Sequence, residues 1–125
     1  MIGKKTYSDE VLTHFYEPKH IGHFCEDAAD VSTGTAGSAA SGDVVRLQIR
    51  VKDGIVIDAC FKAQGTCATI AVASWVANWV IEKSLQQCEA LNCAEILQAL
   101  ELTPLRKHSA LLVLDALQSA VKLAN

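Results

Sequence analysis

The chain has 125 residues, half of them apolar and a fifth charged, the size and composition of one globular domain around one core. A formal net charge of -3 gives no general pull toward nucleic acid or an anionic membrane, and no apolar run reaches the roughly 18 residues of a membrane span. No signal-peptide pattern opens the sequence, and the five cysteines are an odd number without disulfide-framework spacing, which together predict reduced thiols in a cytoplasmic protein.

Residues 1–6 are polar and read as a frayed start. Ser8 suits the N-cap of a short amphipathic helix carrying Val11, Leu12, Phe15 and Tyr16, which Glu17-Pro18 ends. Residues 19–43 hold four glycines and many small side chains, and read as loop plus a weak strand leading to a Gly42-Asp43 corner. Val45, Leu47, Ile49 and Val51 then alternate with Arg46, Gln48 and Arg50, the period of a half-buried strand with a solvated polar face. Its partner carries Ile55, Ile57, Ala59 and Phe61. A two-residue Asp53-Gly54 loop would pair Ile49 with Asp58 and mix the faces. A three-residue Lys52-Asp53-Gly54 loop pairs Val51 with Ile55, Ile49 with Ile57, Leu47 with Ala59 and Val45 with Phe61, so it is the expected one. Carried one pair further, that register brings Asp43 to the Gln64-Gly65-Thr66-Cys67 turn.

An almost unbroken apolar run from Ala68 to Val80 predicts a helix over about 66–82 that is apolar on all sides for its first three turns, as in a helix covered by sheet and other helices. Cys67 falls at its start, where unpaired N–H groups and the helix dipole favour a thiolate; the alternative is a small buried hydrophobe. Trp75 and Trp79, one turn apart, suit core or interface anchors. Cys60, Cys88 and Cys93 read as packing residues, and Cys25 lies in a loop without an evident partner. Asn92 and Glu95 form a capping-box start for a helix over 93–100. Leu102-Thr103-Pro104 breaks the chain, and Pro104 suits the first turn of a last helix reaching about residue 123. Leu105, Leu112, Ala116 and Val121 lie on or near one buried stripe of that helix, and His108 and Ser109 fall in its first turns. No linker or repeat divides residues 1–125, so a single domain is expected.

Several segments, in order along nearly the whole chain, resemble the iron–sulfur cluster assembly scaffolds of the IscU and NifU N-terminal type. They are Tyr7-Ser8 with the following helix and Pro18, Gly22, Gly34 through Gly42-Asp43, Leu47-Gln48-Ile49, Phe61-Lys62, Gly65, Ile70-Ala71, Ser74, the run from Leu102 to Ser109, and Asp115-Ala116. The resemblance implies an α+β fold, a small antiparallel β-sheet packed on one face by α-helices. It also implies a scaffold rather than an enzyme.

The family's chemistry rests on three cysteines in segments resembling C-G-D, G-C-G and H-C. Here Ser41, Thr66 and Ser109 stand at those places, and hydroxyls supply no anionic soft donor near neutral pH. Asp43, His108 and Cys67, the last one position late, remain as candidate ligands for zinc, iron or a [2Fe–2S] cluster. The alternative is a metal-free interaction or regulatory module. The resemblance further implies a cysteine desulfurase, an Hsp70-type chaperone or a related scaffold as partners. The chaperone would be met through Leu102, Thr103, Pro104, Leu105 and Arg106, which resemble the family's Leu-Pro-Pro-Val-Lys segment. A third reading, with Cys67 as nucleophile, His108 as base and Asp43 as orienter, finds no oxyanion hole in the sequence to support it.

Overall fold

Among the described residues, four of the five α-helices start at a side-chain cap. The computed structural model describes residues 7–25 and 27–124, so the expectation for residues 1–6 lies outside it. Ser8 accepts from the Val11 N–H to open α1 (Asp9–Tyr16), and Thr66 accepts from the Thr69 N–H to open α2 (Cys67–Val80). Full capping boxes, Ser84 with Gln87 and Asn92 with Glu95, open α3 (Leu85–Ala90) and α4 (Cys93–Ala99). Each cap satisfies an N–H that the helix itself leaves free, typically worth about 1 kcal/mol. The last helix, α5 (Lys107–Ala124), follows a 3-10 turn over Pro104–Arg106.

Three antiparallel strands, β1 (Val31–Ser38), β2 (Asp43–Lys52) and β3 (Ile55–Gln64), lie in the order β1-β2-β3. The weak strand expected before Gly42 is therefore a full eight-residue partner of β2. The three-residue hairpin loop is overturned. Lys52 pairs with Ile55 across a two-residue Asp53-Gly54 turn in which both residues have positive φ, 53° and 76°. A bulge restores the apolar face: Arg50 pairs with Asp58 next to the Val51–Val56 pair, so Ile57 drops out of register. Beyond it Ile49 meets Ala59, Leu47 meets Phe61 and Val45 meets Ala63. Val45, Leu47, Ile49, Ala59 and Phe61 are thereby all buried, while Ile57 is 46% exposed.

Both α2 and α5 pack on that inner face. Gly34 on β1 permits the contact with α5, because a Cβ there would overlap the Ala116 carbonyl oxygen and stand 2.6 Å from the Ala120 nitrogen. Leu105 is not part of the α5 stripe. It sits in the preceding 3-10 turn and is 86% exposed, whereas Ala116 and Val121 are buried as expected.

The outer face is not fully solvated. Phe61 N–H donates to His20 O at 2.9 Å and Gly22 N–H to Phe61 O at 3.0 Å, which ties the segment after α1 to the β3 edge. Phe24 N–H then reaches Gln48 Oε1 at 2.8 Å, and the Gln48 amide donates to Thr33 Oγ1 at 3.0 Å. Gln48 is thus 1% exposed with its polar ends satisfied, and the Cys60 thiol beside it donates to Oε1 at 3.5 Å.

Ser74, fully buried on α2, anchors α1: its Oγ accepts from the Lys19 N–H at 2.7 Å and lies 2.8 Å from His14 Nδ1. Burial, and the Lys19 charge after it, lower the His14 pKa from its ordinary 6.5. The folded chain then binds a proton here less readily than the unfolded one. This contribution to stability is present above about pH 6.5 and is lost as pH falls through the lowered folded value. Urea unfolding followed against pH should show stability dropping on acidification from pH 7, with a shallower drop in His14→Gln. An equal slope in both proteins would refute the assignment. Gly34→Ala should cost about 2–3 kcal/mol in the same assay, since the clash is with α5 backbone that cannot rotate away.

A candidate site where β2, α2 and α5 converge

The turn from β3 into α2 is built on Gly65, whose φ of +151° favours glycine and whose missing Cβ leaves room for the Asp43 carboxylate. Asp43 at the start of β2 therefore does reach this turn, by the bulged register rather than the simple one. Its Oδ1 accepts from the Thr66 N–H and from the Thr69 hydroxyl, each at 3.4 Å. Thr69 Oγ1 also lies 3.2 Å from Thr66 Oγ1 and 3.0 Å from Ser109 Oγ. Thr69 and Ser109 are fully buried. The carboxylate and the hydroxyls of Thr66, Thr69 and Ser109 thus form one connected cluster joining three elements.

The donor arithmetic closes. Thr66 Oγ1 accepts from the Thr69 N–H, so its own proton is free for Thr69 Oγ1. Thr69 gives its proton to Asp43 and accepts from Thr66 and Ser109.

Ser41 stands apart. In the 3-10 turn Ala39–Ser41 its Oγ donates to Ser38 O at 2.9 Å, and its N–H donates to Ser38 Oγ at 3.2 Å. His108 is exposed on the first turn of α5, while Ser109 beside it points into the core.

Of the two readings of Cys67, its surroundings favour the packing residue. It is half-buried against the core at the first position of α2, and burial raises its pKa above the ordinary thiol value, with Arg106 offsetting part of that rise. Burial outweighs the Arg106 charge, so the thiol rather than the thiolate is favoured. Among the described residues, no three His, Cys, Asp or Glu side chains are grouped to hold a metal ion. Asp43, Cys67 and His108 are not such a group. Nor does the cluster at Thr69 fit a thiophilic metal or an iron–sulfur cluster, since its donors are one carboxylate and hydroxyls bonded to one another.

A second feature lies at the same end. Leu102 is nearly buried, and its N–H donates to Leu97 O at 2.8 Å. Thr103, Pro104 and Leu105 are exposed, and the Arg106 guanidinium sits 5.0 Å above the Tyr7 ring. The segment is a pinned turn that offers Leu105 to solvent, not an extended strand. Sequence reasoning missed Thr69, whose signal was a polar side chain inside an otherwise apolar run.

A three-stranded antiparallel sheet with helices gathered on one face, and three helix or strand starts meeting at one polar cluster, defines a small α+β domain. The chain belongs to the NifU-like N-terminal domain family, whose model matches residues 6–123. It is 40% identical over 116 residues to the iron–sulfur cluster assembly scaffold protein IscU of Escherichia coli strain K12, covering 92% of this chain and 91% of that one. It is 38% identical over 122 residues to iron–sulfur cluster assembly protein 1 of Oryza sativa, covering 96% of this chain and 71% of that one. The structure of the N-terminal part of a nitrogen-fixing NifU-like protein from Brucella abortus superposes with a TM-score of 0.73 at 20% identity, over 94% of this chain and 92% of that chain. Among the described residues, no helix is long and apolar enough to cross a membrane.

The raised Cys67 pKa makes a kinetic prediction. With limiting iodoacetamide near pH 8, exposed Cys25 should be alkylated well before Cys67, and His108→Ala should leave the Cys67 rate unchanged. Preferential labelling of Cys67, suppressed in His108→Ala, would instead reveal an activated thiolate.

Proposed function

We propose that the chain works in iron–sulfur cluster assembly as a scaffold-type docking protein, cytoplasmic and not an enzyme, that carries no thiolate-held metal of its own. The family and the relatives named as cluster assembly scaffolds support the process. The observation that carries the metal-free part is the closed hydrogen-bond cluster at Thr69, whose members are one carboxylate and hydroxyls, none of them a soft donor. In this reading Asp43 is a structural acceptor, Cys67 a packing residue and His108 a surface residue beside the docking turn. Zinc, iron or a [2Fe–2S] cluster held by those three is the competing reading.

Docking is supported by the exposed Thr103-Pro104-Leu105 turn, which offers one large apolar side chain on a rigid base. Its partner is an Hsp70-type chaperone; a cysteine desulfurase or a related scaffold would meet the neighbouring surface around His108. Burial of one exposed leucine contributes about 2 kcal/mol, so Leu105→Glu should weaken chaperone binding roughly tenfold or more. Anaerobic purification with metal analysis and visible absorption should give a colourless protein with substoichiometric zinc and iron. Stoichiometric metal lost in Asp43→Ala, Cys67→Ser and His108→Ala would establish the competing reading. Unaltered chaperone affinity in Leu105→Glu would remove the docking role of this turn.

A further inference from the structure

We infer that the Thr69 hydroxyl is a plug: it occupies the point on which a metal would be held and replaces that metal as the tie between β2, α2 and α5. The plug rests on the reading of the chain as a metal-free member of its family, but it makes a separate claim about what closes the site.

Three oxygens from three different parts of the chain surround Thr69 Oγ1: Ser109 Oγ at 3.0 Å, Thr66 Oγ1 at 3.2 Å and Asp43 Oδ1 at 3.4 Å. These are hydrogen-bond separations, about 1 Å longer than zinc–ligand bonds, and the atom at the centre is a hydroxyl oxygen. Thr69 Oγ1 therefore fills the space a cation would need and satisfies the same neighbours. Thr69 and Ser109 are both fully buried, so no water competes for the bond between them, while Thr66 and Asp43 close the cluster on its solvent side. Gly65 contributes by admitting the Asp43 carboxylate to the cluster, and a side chain at that position would displace it.

Because the hub is made of protein atoms, the convergence of the three elements is independent of metal supply. Two consequences follow for Thr69 itself. Removing only its hydroxyl should loosen the fold, and removing the whole side chain should open a cavity that a cation can enter once soft donors line it.

The probe is zinc alone, titrated against a competing chromophoric chelator, with thermal unfolding measured in chelator and in zinc. For the unaltered chain, neither stoichiometric zinc uptake nor a zinc-dependent rise in midpoint is expected; either would overturn the plug. Thr69→Val keeps the volume and deletes the hydroxyl, and should lower the midpoint by roughly 5–10 °C equally in chelator and in zinc. An unchanged midpoint would overturn the tie. Thr66→Cys with Ser109→Cys places two thiols beside Asp43 while Thr69 still fills the centre. Adding Thr69→Ala to that pair should tighten zinc binding at least tenfold, and Asp43→Ala should then abolish the gain. Equal affinity with and without the Thr69 side chain would overturn the inference. Chaperone binding is scored separately, so docking and plug can fail independently.

Discussion

A polar side chain on the buried part of a helix must be satisfied from elsewhere in the chain, and α2 meets that constraint at Thr69 and Ser74, with exposed Asn78 making a third tie. Thr69 is bonded to Asp43 of β2 and Ser109 of α5, Ser74 to His14 of α1 and the Lys19 N–H, and Asn78 to His20 at 3.1 Å. An unpaired hydroxyl in such a setting costs about 1–3 kcal/mol, so each pairing fixes the position of a neighbouring element as firmly as apolar packing does. The strand start, the first helix and the last helix are all placed by polar residues of one apolar helix.

This arrangement bears on function because the pairing at Thr69 falls where the family resemblance locates a metal-holding centre. Neutral hydroxyls there exchange hydrogen bonds with one another and with one carboxylate. In the metal-free reading proposed above, the chain keeps the family's fold without the donor chemistry that would hold a cluster. Exposed at that end are, among others, the Thr103-Pro104-Leu105 turn and His108. A protein of this shape can present a scaffold's surface to assembly partners whether or not it carries cargo.

Much of the fold was legible in the sequence, because local signals sufficed. Ser8 and the Asn92–Glu95 pair marked helix starts, and the uninterrupted apolar run marked the buried helix. The hairpin register was not legible. The alternation rule assumed one unbroken ladder, and the bulge that expels Ile57 satisfies both the two-residue turn and the apolar face. The six-residue α3 is too short to show a period. Gln48 and Cys60 are buried by the segment that carries Phe24, a long-range covering that strand alternation cannot reveal. At the site, Thr66 was read as a replaced ligand although threonine is also a favoured N-cap, the role it has here. That capping role sets Cys67 at the first helical position, half-buried, and makes Thr69 the residue that faces Asp43.

The central claim is that protein hydrogen bonds alone hold the starts of α2 and α5 against β2. Amide hydrogen exchange at residues 69–72 and 110–113, compared between chelator-treated and zinc-supplied protein, tests it most directly. Slow exchange of equal rate in both samples is the expected result. Rapid exchange in chelator that becomes protected on adding zinc would contradict the claim, because the tie would then be the metal.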